Sequence, residues 1–133
     1  MEIIADTSAI IAVILNEPEK DQIIRLTTGY KEIIAPESVF WEVGNAFSAM
    51  LKRKRLHIDS IIKAVAVFKR MPLRFAEVGL EASLKISDEQ NIYAYDAYLI
   101  ECAIRHKKPF ITLDSKLARI AGLYQIEVLE VKR

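Results

Sequence analysis

The chain has 133 residues, of which 52% are hydrophobic and 28% charged, and that balance excludes a disordered polymer. Nineteen basic and 18 acidic residues leave a net charge of +1, so whole-surface attraction to nucleic acid is excluded and any such binding needs a local patch. A single cysteine, Cys102, excludes an internal disulfide framework.

The first stretch, Glu2-Ile3-Ile4-Ala5, is a short β-branched run that ends abruptly in Asp6-Thr7-Ser8. It reads as a buried strand, and Ala9 to Leu15 reads as the helix after it. Asn16-Glu17-Pro18 stops and restarts the chain, and a short amphipathic helix over about Glu19 to Thr28 is closed by Gly29. Glu32 to Ala35 forms a second strand, ended by Pro36. From Glu37 to about Leu51, Val39, Phe40, Val43, Phe47 and Met50 recur at a helical period. A basic run, Lys52-Arg53-Lys54-Arg55, follows.

Asp59 or Ser60 suits the cap of the next helix, whose apolar stripe is Ile61, Ile62, Val65 and Phe68. Beyond Pro72, Leu73 to Val78 alternates as a strand. A helix spans roughly Gly79 to Gln90, and another about Tyr95 to His106. Phe110 to Leu113 forms a fourth strand ending in Asp114. A short helix from Ser115 to Ala121 is capped by Gly122, and Ile126 to Val131 is a final strand. Strands alternating with helices predict an α/β fold, a parallel sheet covered on both faces within one domain, 1–133. The chain opens directly on its first strand, and no apolar run approaches the roughly 20 residues of a membrane span. The expectation is a cytoplasmic protein with no membrane contact, and Cys102, in an apolar run, is expected in the core.

Asp6 and Asp114 each follow a strand, so a parallel sheet places both at its carboxyl edge, where open α/β sheets bind ligands. Glu42 falls near the start of the helix after strand two, and Asp96 opens the helix leading to strand four; topology brings both to that edge. Four close carboxylates repel one another unless a cation neutralises them. Oxygen-only ligands suit Mg or Mn. Such an ion lowers the pKa of a bound water and stabilises charge in displacement at a phosphodiester. Each acid also has an ordinary reading: Asp6 and Asp114 as helix caps, Glu42 as a solvated helix residue, Asp96 as a complement to the helix dipole. Their joint placement favours a site.

Ile3-Ile4-Ala5-Asp6-Thr7-Ser8-Ala9, Glu42 with Asn45-Ala46, Tyr95-Asp96-Ala97, and Thr112-Leu113-Asp114 together resemble the PIN-domain nucleases. The toxin subunits of VapBC toxin–antitoxin pairs are the nearest in pattern. No single motif is specific; the ordered set of four acids is. The resemblance implies a three-layer α/β/α sandwich with a mainly parallel sheet of four or five strands. It implies metal-dependent endoribonuclease cleavage of single-stranded RNA, with Asp6, Glu42, Asp96 and Asp114 as catalytic metal ligands. Ser8 and Thr112 would orient carboxylates or water, and Asn45, one turn after Glu42, would do similar work. A homodimer and a cognate antitoxin partner are implied as well. Where many PIN nucleases carry a further acid or amide two positions after the last acid, this chain has Lys116. One tightly held Mg or Mn, with a second recruited by substrate, follows from that departure.

Lys52, Arg53, Lys54 and Arg55, and more weakly Lys116, are the candidate RNA contacts, against an ordinary reading as solvated charges. Tyr93, Tyr95 and Tyr98 flank Asp96 and can stack bases or pack the core. The competing reading is a non-catalytic RNA-binding or scaffolding subunit of the same architecture, in which the basic run matters and the acids do not.

Overall fold

The computed structural model describes residues 1–133. Its five strands are all parallel, in the order β3-β2-β1-β4-β5. They are β1 (Glu2–Ala5), β2 (Glu32–Ala35), β3 (Leu73–Phe75), β4 (Phe110–Ile111) and β5 (Val128–Leu129). The helices are α1 (Thr7–Ile14), α2 (Lys20–Thr27), α3 (Ser38–Lys52), α4 (Ile58–Arg70), α5 (Leu80–Gln90), α6 (Ala94–His106) and α7 (Ser115–Leu123). This is the α/β fold expected from the alternation of strands and helices.

β1 lies at the centre of the sheet, where Ile3, Ile4 and Ala5 are all buried. From β1 the chain steps outward to β2 and β3, then returns across the sheet to β4 and β5. Right-handed crossovers then put α1 to α4 on one face and α5 to α7 on the other. The contacts agree: α1 packs against α2, α3 and α4, while α5 packs against α6. The helix α1 carries no charge and buries Ala9, Ile10, Ile11, Ala12 and Ile14, as an all-round apolar helix must. Truncating a residue such as Ile4, which is fully enclosed, to alanine costs about 2–5 kcal/mol by cavity formation. Cys102 is buried in the same core, and burial pushes its thiol up to about 12, so it is an inert packing group.

The element ends depart from expectation in several places, each with a local cause. β3 stops at Phe75 rather than Val78 because its partner β2 runs out at Ala35, ahead of Pro36, which has no N–H. β4 holds only Phe110 and Ile111, because Thr112 to Asp114 turn aside toward Asp6. β5 pairs only over the two residues that face β4. α4 begins one residue before Asp59, with His57 at the cap position making no side-chain cap bond. Asp59 sits in its first turn, where an acid favours the dipole. α7 continues through Gly122 to Leu123, and the left-handed residue that follows is Gln125. Gly29, with φ +98°, does follow α2 in the left-handed conformation a helix stop requires.

Candidate active site

Asp6 is the buried centre of the carboxyl edge, only 5% exposed. As the cap of α1, its Oδ1 accepts from the Ala9 N–H at 3.0 Å and from the Ser8 hydroxyl at 2.7 Å. Its Oδ2 accepts from the Thr112 hydroxyl. Both hydroxyls are themselves pinned by the loop after β4: Leu113 N–H donates to Ser8 Oγ and Asp114 N–H to Thr112 Oγ1, each at 3.0 Å. Two relays therefore tie the ends of β1 and β4 together through one carboxylate. Burial raises the pKa of Asp6 above the usual carboxylate range; the hydrogen bonds from Thr112, Ala9 and Ser8 pull the other way, and Asp114 adds repulsion.

Asp114 caps α7, its Oδ1 accepting from the N–H groups of Lys116 and Leu117 at 3.0 and 3.1 Å. Its Oδ2 makes no hydrogen bond and faces solvent. Glu42 lies one turn into α3, half-buried, with Oε2 accepting from the Thr7 hydroxyl at 3.3 Å. Its Oε1 is buried and has no partner at all. Burial, with the charges of Asp96 and Asp6 beside it, pushes Glu42 up to about 7 against the Thr7 bond that lowers it. Asp96, in the first turn of α6, is raised by burial first and by Asp114 second, while Lys116 eases it.

Pairwise repulsions link Asp6 with Asp114, Glu42 with Asp6 and Asp96, and Asp96 with Asp114, so the four acids are neighbours at the carboxyl edge of the sheet. None takes part in an ion pair with a lysine or arginine. They do not close into a tight ligand cage as they stand, since no three acidic, histidine or cysteine side chains are that close-set. The chemistry of the donors nonetheless fits a hard divalent cation: all are carboxylate oxygens, and Glu42 Oε1 is a buried acceptor with nothing to accept from. The residues that would hold the ion are these four.

Asn45 is exposed on α3 and hydrogen-bonds none of the acids. Lys52 to Arg55 are exposed at the far end of α3, about 15 Å along the helix from Glu42. Lys116 lies beside the site, as its effect on Asp96 shows. Tyr93 is 87% exposed and, with Tyr95, Asp96 and Tyr98, lines a hollow of about 570 Å³ at the start of α6. His106 sits at the other end of α6 from Asp96, its Nε2 2.9 Å from the Glu77 carbonyl, so it is no acid–base partner of the carboxylates. Sequence reasoning missed Thr7 as the donor to Glu42; its place directly after Asp6, at the strand end, was the available signal.

A parallel α/β sheet with its acids gathered at the switch point between β1 and β4 is a frame for phosphodiester chemistry. The PIN domain family matches residues 3–123, and the chain belongs to that family, whose members are generally nucleases. Among solved structures it is similar to PAE2754 from Pyrobaculum aerophilum, with 18% identity and a TM-score of 0.68 over 90% of this chain and 84% of that one. It is also similar to VapBC2 from Rickettsia felis, solved bound to a DNA fragment from their promoter, with 16% identity and a TM-score of 0.67 over 99% of this chain and 100% of that one. A comparison with curated proteins finds no match. No helix is long and apolar enough to cross a membrane.

Proposed function

We propose that this chain is a Mg- or Mn-dependent endoribonuclease that cleaves single-stranded RNA as the toxin of a toxin–antitoxin pair. One observation supports the reading: carboxylates that repel one another lie at the sheet edge, none of them in an ion pair, and one of their oxygens is buried with no hydrogen bond. A structural cluster would have been neutralised by lysine or arginine; this one is left to be completed by a metal. When bound, the ion supplies a water of lowered pKa and charge neutralisation at the phosphoryl group.

The protein's own part is positioning and proton management. The Ser8 and Thr112 relays hold Asp6 in one orientation, so its oxygens need no reorganisation. Glu42, pushed up to about 7 by burial and its acidic neighbours, takes up a proton near neutrality when no cation is bound and gives it up to an incoming one. Asp114 keeps Oδ2 open while Oδ1 caps α7. Full-length agreement of fold with VapBC2 supports the toxin assignment. Phe40, Trp41 and Phe75 lie exposed together on the β2–β3 side, the kind of apolar surface that a second copy or an antitoxin covers.

Pure protein incubated with single-stranded RNA, with Mn²⁺ or with chelator, tests the reading. Metal-dependent cleavage that Asp6→Asn abolishes is expected. Cleavage unaltered by Asp6→Asn would assign the activity to a contaminant and leave a non-catalytic RNA-binding or scaffolding subunit.

A further inference from the structure

The only dense basic run in the sequence points away from the acids, so the cations that meet a substrate beside them must come from elsewhere. A groove opens next to Asp114. Its inner part, about 430 Å³, is walled by Ser8, Asp114, Ser115 and Arg133. Its outer part, about 620 Å³, is walled by Ser115, Arg119, Glu130, Lys132 and Arg133. The two share Leu113, Ser115 and Arg133, so they form one channel leading from the acids across the β4–β5 side. Each part is of ligand-pocket size, about 300–1,000 Å³.

Most basic residues of the chain, those along the channel included, are not held tightly by an acid. Arg74, Lys108 and Arg105 are each committed to an acid. Arg119 and Lys132 make no ion pair or side-chain hydrogen bond, and Arg133 reaches Glu19 only loosely, at 3.7 Å. Three cations line the channel, with Glu130 in its outer part and Glu17 and Asp114 in its inner part. Topology assembles them: α7 follows β4 and residues 130–133 follow β5, so both segments emerge at the edge that carries the four acids. A polyanion crossing that edge finds carboxylates at the cleavage point and free cations on one side of it.

We propose that this channel is the phosphate track of the substrate, with Arg119, Lys132 and Arg133 contacting the sugar–phosphate backbone of single-stranded RNA on the Asp114 side. The inference rests on the endoribonuclease reading and deepens it. Backbone contacts confer affinity and register without sequence readout, and each one steepens the salt dependence of binding.

The test is fluorescence anisotropy of a labelled single-stranded RNA of about 12 nucleotides, in chelator and over a range of salt, followed by cleavage kinetics with Mn²⁺. Three proteins are compared: wild type, Arg119→Ala/Lys132→Ala, and Lys63→Ala/Lys69→Ala, which removes two exposed charges from α4. The groove variant is expected to bind about 10-fold more weakly and to lose about 1.4 from the slope of log affinity on log salt, at about 0.7 per phosphate of a single strand. Its KM should rise about as much with kcat little changed, because the acids are untouched. The α4 variant should match wild type. Equal losses in both variants, or none in the groove variant while wild type still cleaves, overturn the track and leave the nuclease standing. A wild type that neither binds nor cleaves RNA overturns both.

Discussion

The two ends of the sheet treat their acids in opposite ways. At the amino end, Glu2 and Glu32 face each other in the β1–β2 register. Arg74 bridges them, at 2.5 Å to Glu2 and 3.1 Å to Glu32, and Lys108 adds a contact to Glu2 at 3.2 Å. Those bonds, Arg74 first, hold Glu2 down to about 2. At the carboxyl end, Asp6, Glu42 and Asp96 all move the other way, raised first by burial. Acids at strand ends are thus not functional by position alone. The compensated pair fastens strands together, whereas the uncompensated set stores repulsion that only a cation or a proton relieves.

The sharpest way to break this contrast is Asp6→Asn. Cleavage should fall by about 100- to 1,000-fold, the scale of losing a preorganised group at the reacting centre, with an unchanged circular dichroism spectrum. Retained turnover would make the carboxyl end as structural as the amino end. Next in size is Thr112→Val, which removes the donor to Asp6 Oδ2 while keeping the side-chain shape. Activity should drop about 10- to 100-fold, the usual cost of losing a partner of a metal ligand, and a Mn²⁺ titration should show weaker binding.

A third test uses pH. Glu42, raised from 4.5 to about 7, contributes stability that is fully present below pH 4.5 and lost as pH rises through about 7. Asp6 and Asp96 act in the same direction. Glu2, lowered to about 2, contributes above pH 4.5 and loses its contribution as pH falls through about 2. In chelator, the melting temperature should therefore decline between pH 4.5 and 7, and Glu42→Gln should flatten that decline. Scanning calorimetry that finds the same slope in both proteins would deny Glu42 its burden of repulsion. Mn²⁺ should bind more tightly as pH rises through 7, since it must displace the Glu42 proton. The smallest effect belongs to Arg74→Ala, an exposed bridge: a slight fall in melting temperature, diminished by added salt, with cleavage untouched.

Much of this contrast could be read before any coordinates. Asp6 was legible because a β-branched strand ends on it, and Asp114 because Phe110 to Leu113 repeats the pattern. Hydrophobic periodicity is a local signal, and it ordered every element correctly. What it could not carry was partnership. β3 and β5 are shorter than their sequence patterns because a strand lasts only as long as its neighbour offers hydrogen bonds. α4 starts at Ile58, with His57 rather than Asp59 at the cap position and no side-chain cap bond, a choice no local capping signal announces. The basic run at Lys52 drew attention by density, although the helix carries it away from the edge. Arg119, Lys132 and Arg133 drew none, being dispersed in the chain and brought together only by the parallel order of β4 and β5.

The relay from Thr112 to Asp6 spans nearly the whole polypeptide, and β1 waits in the middle of the sheet for β4 to fill its second side. A nascent chain emerging from the ribosome can pair β1 with β2 early. It presents only an open strand edge where Ile111 and Thr112 will later dock. Long-range closure of this kind is slow compared with local helix formation. The acidic edge accordingly comes into being only after β4 has left the ribosome, so a cell making this chain is spared a working nuclease while β1 to β3 are being made.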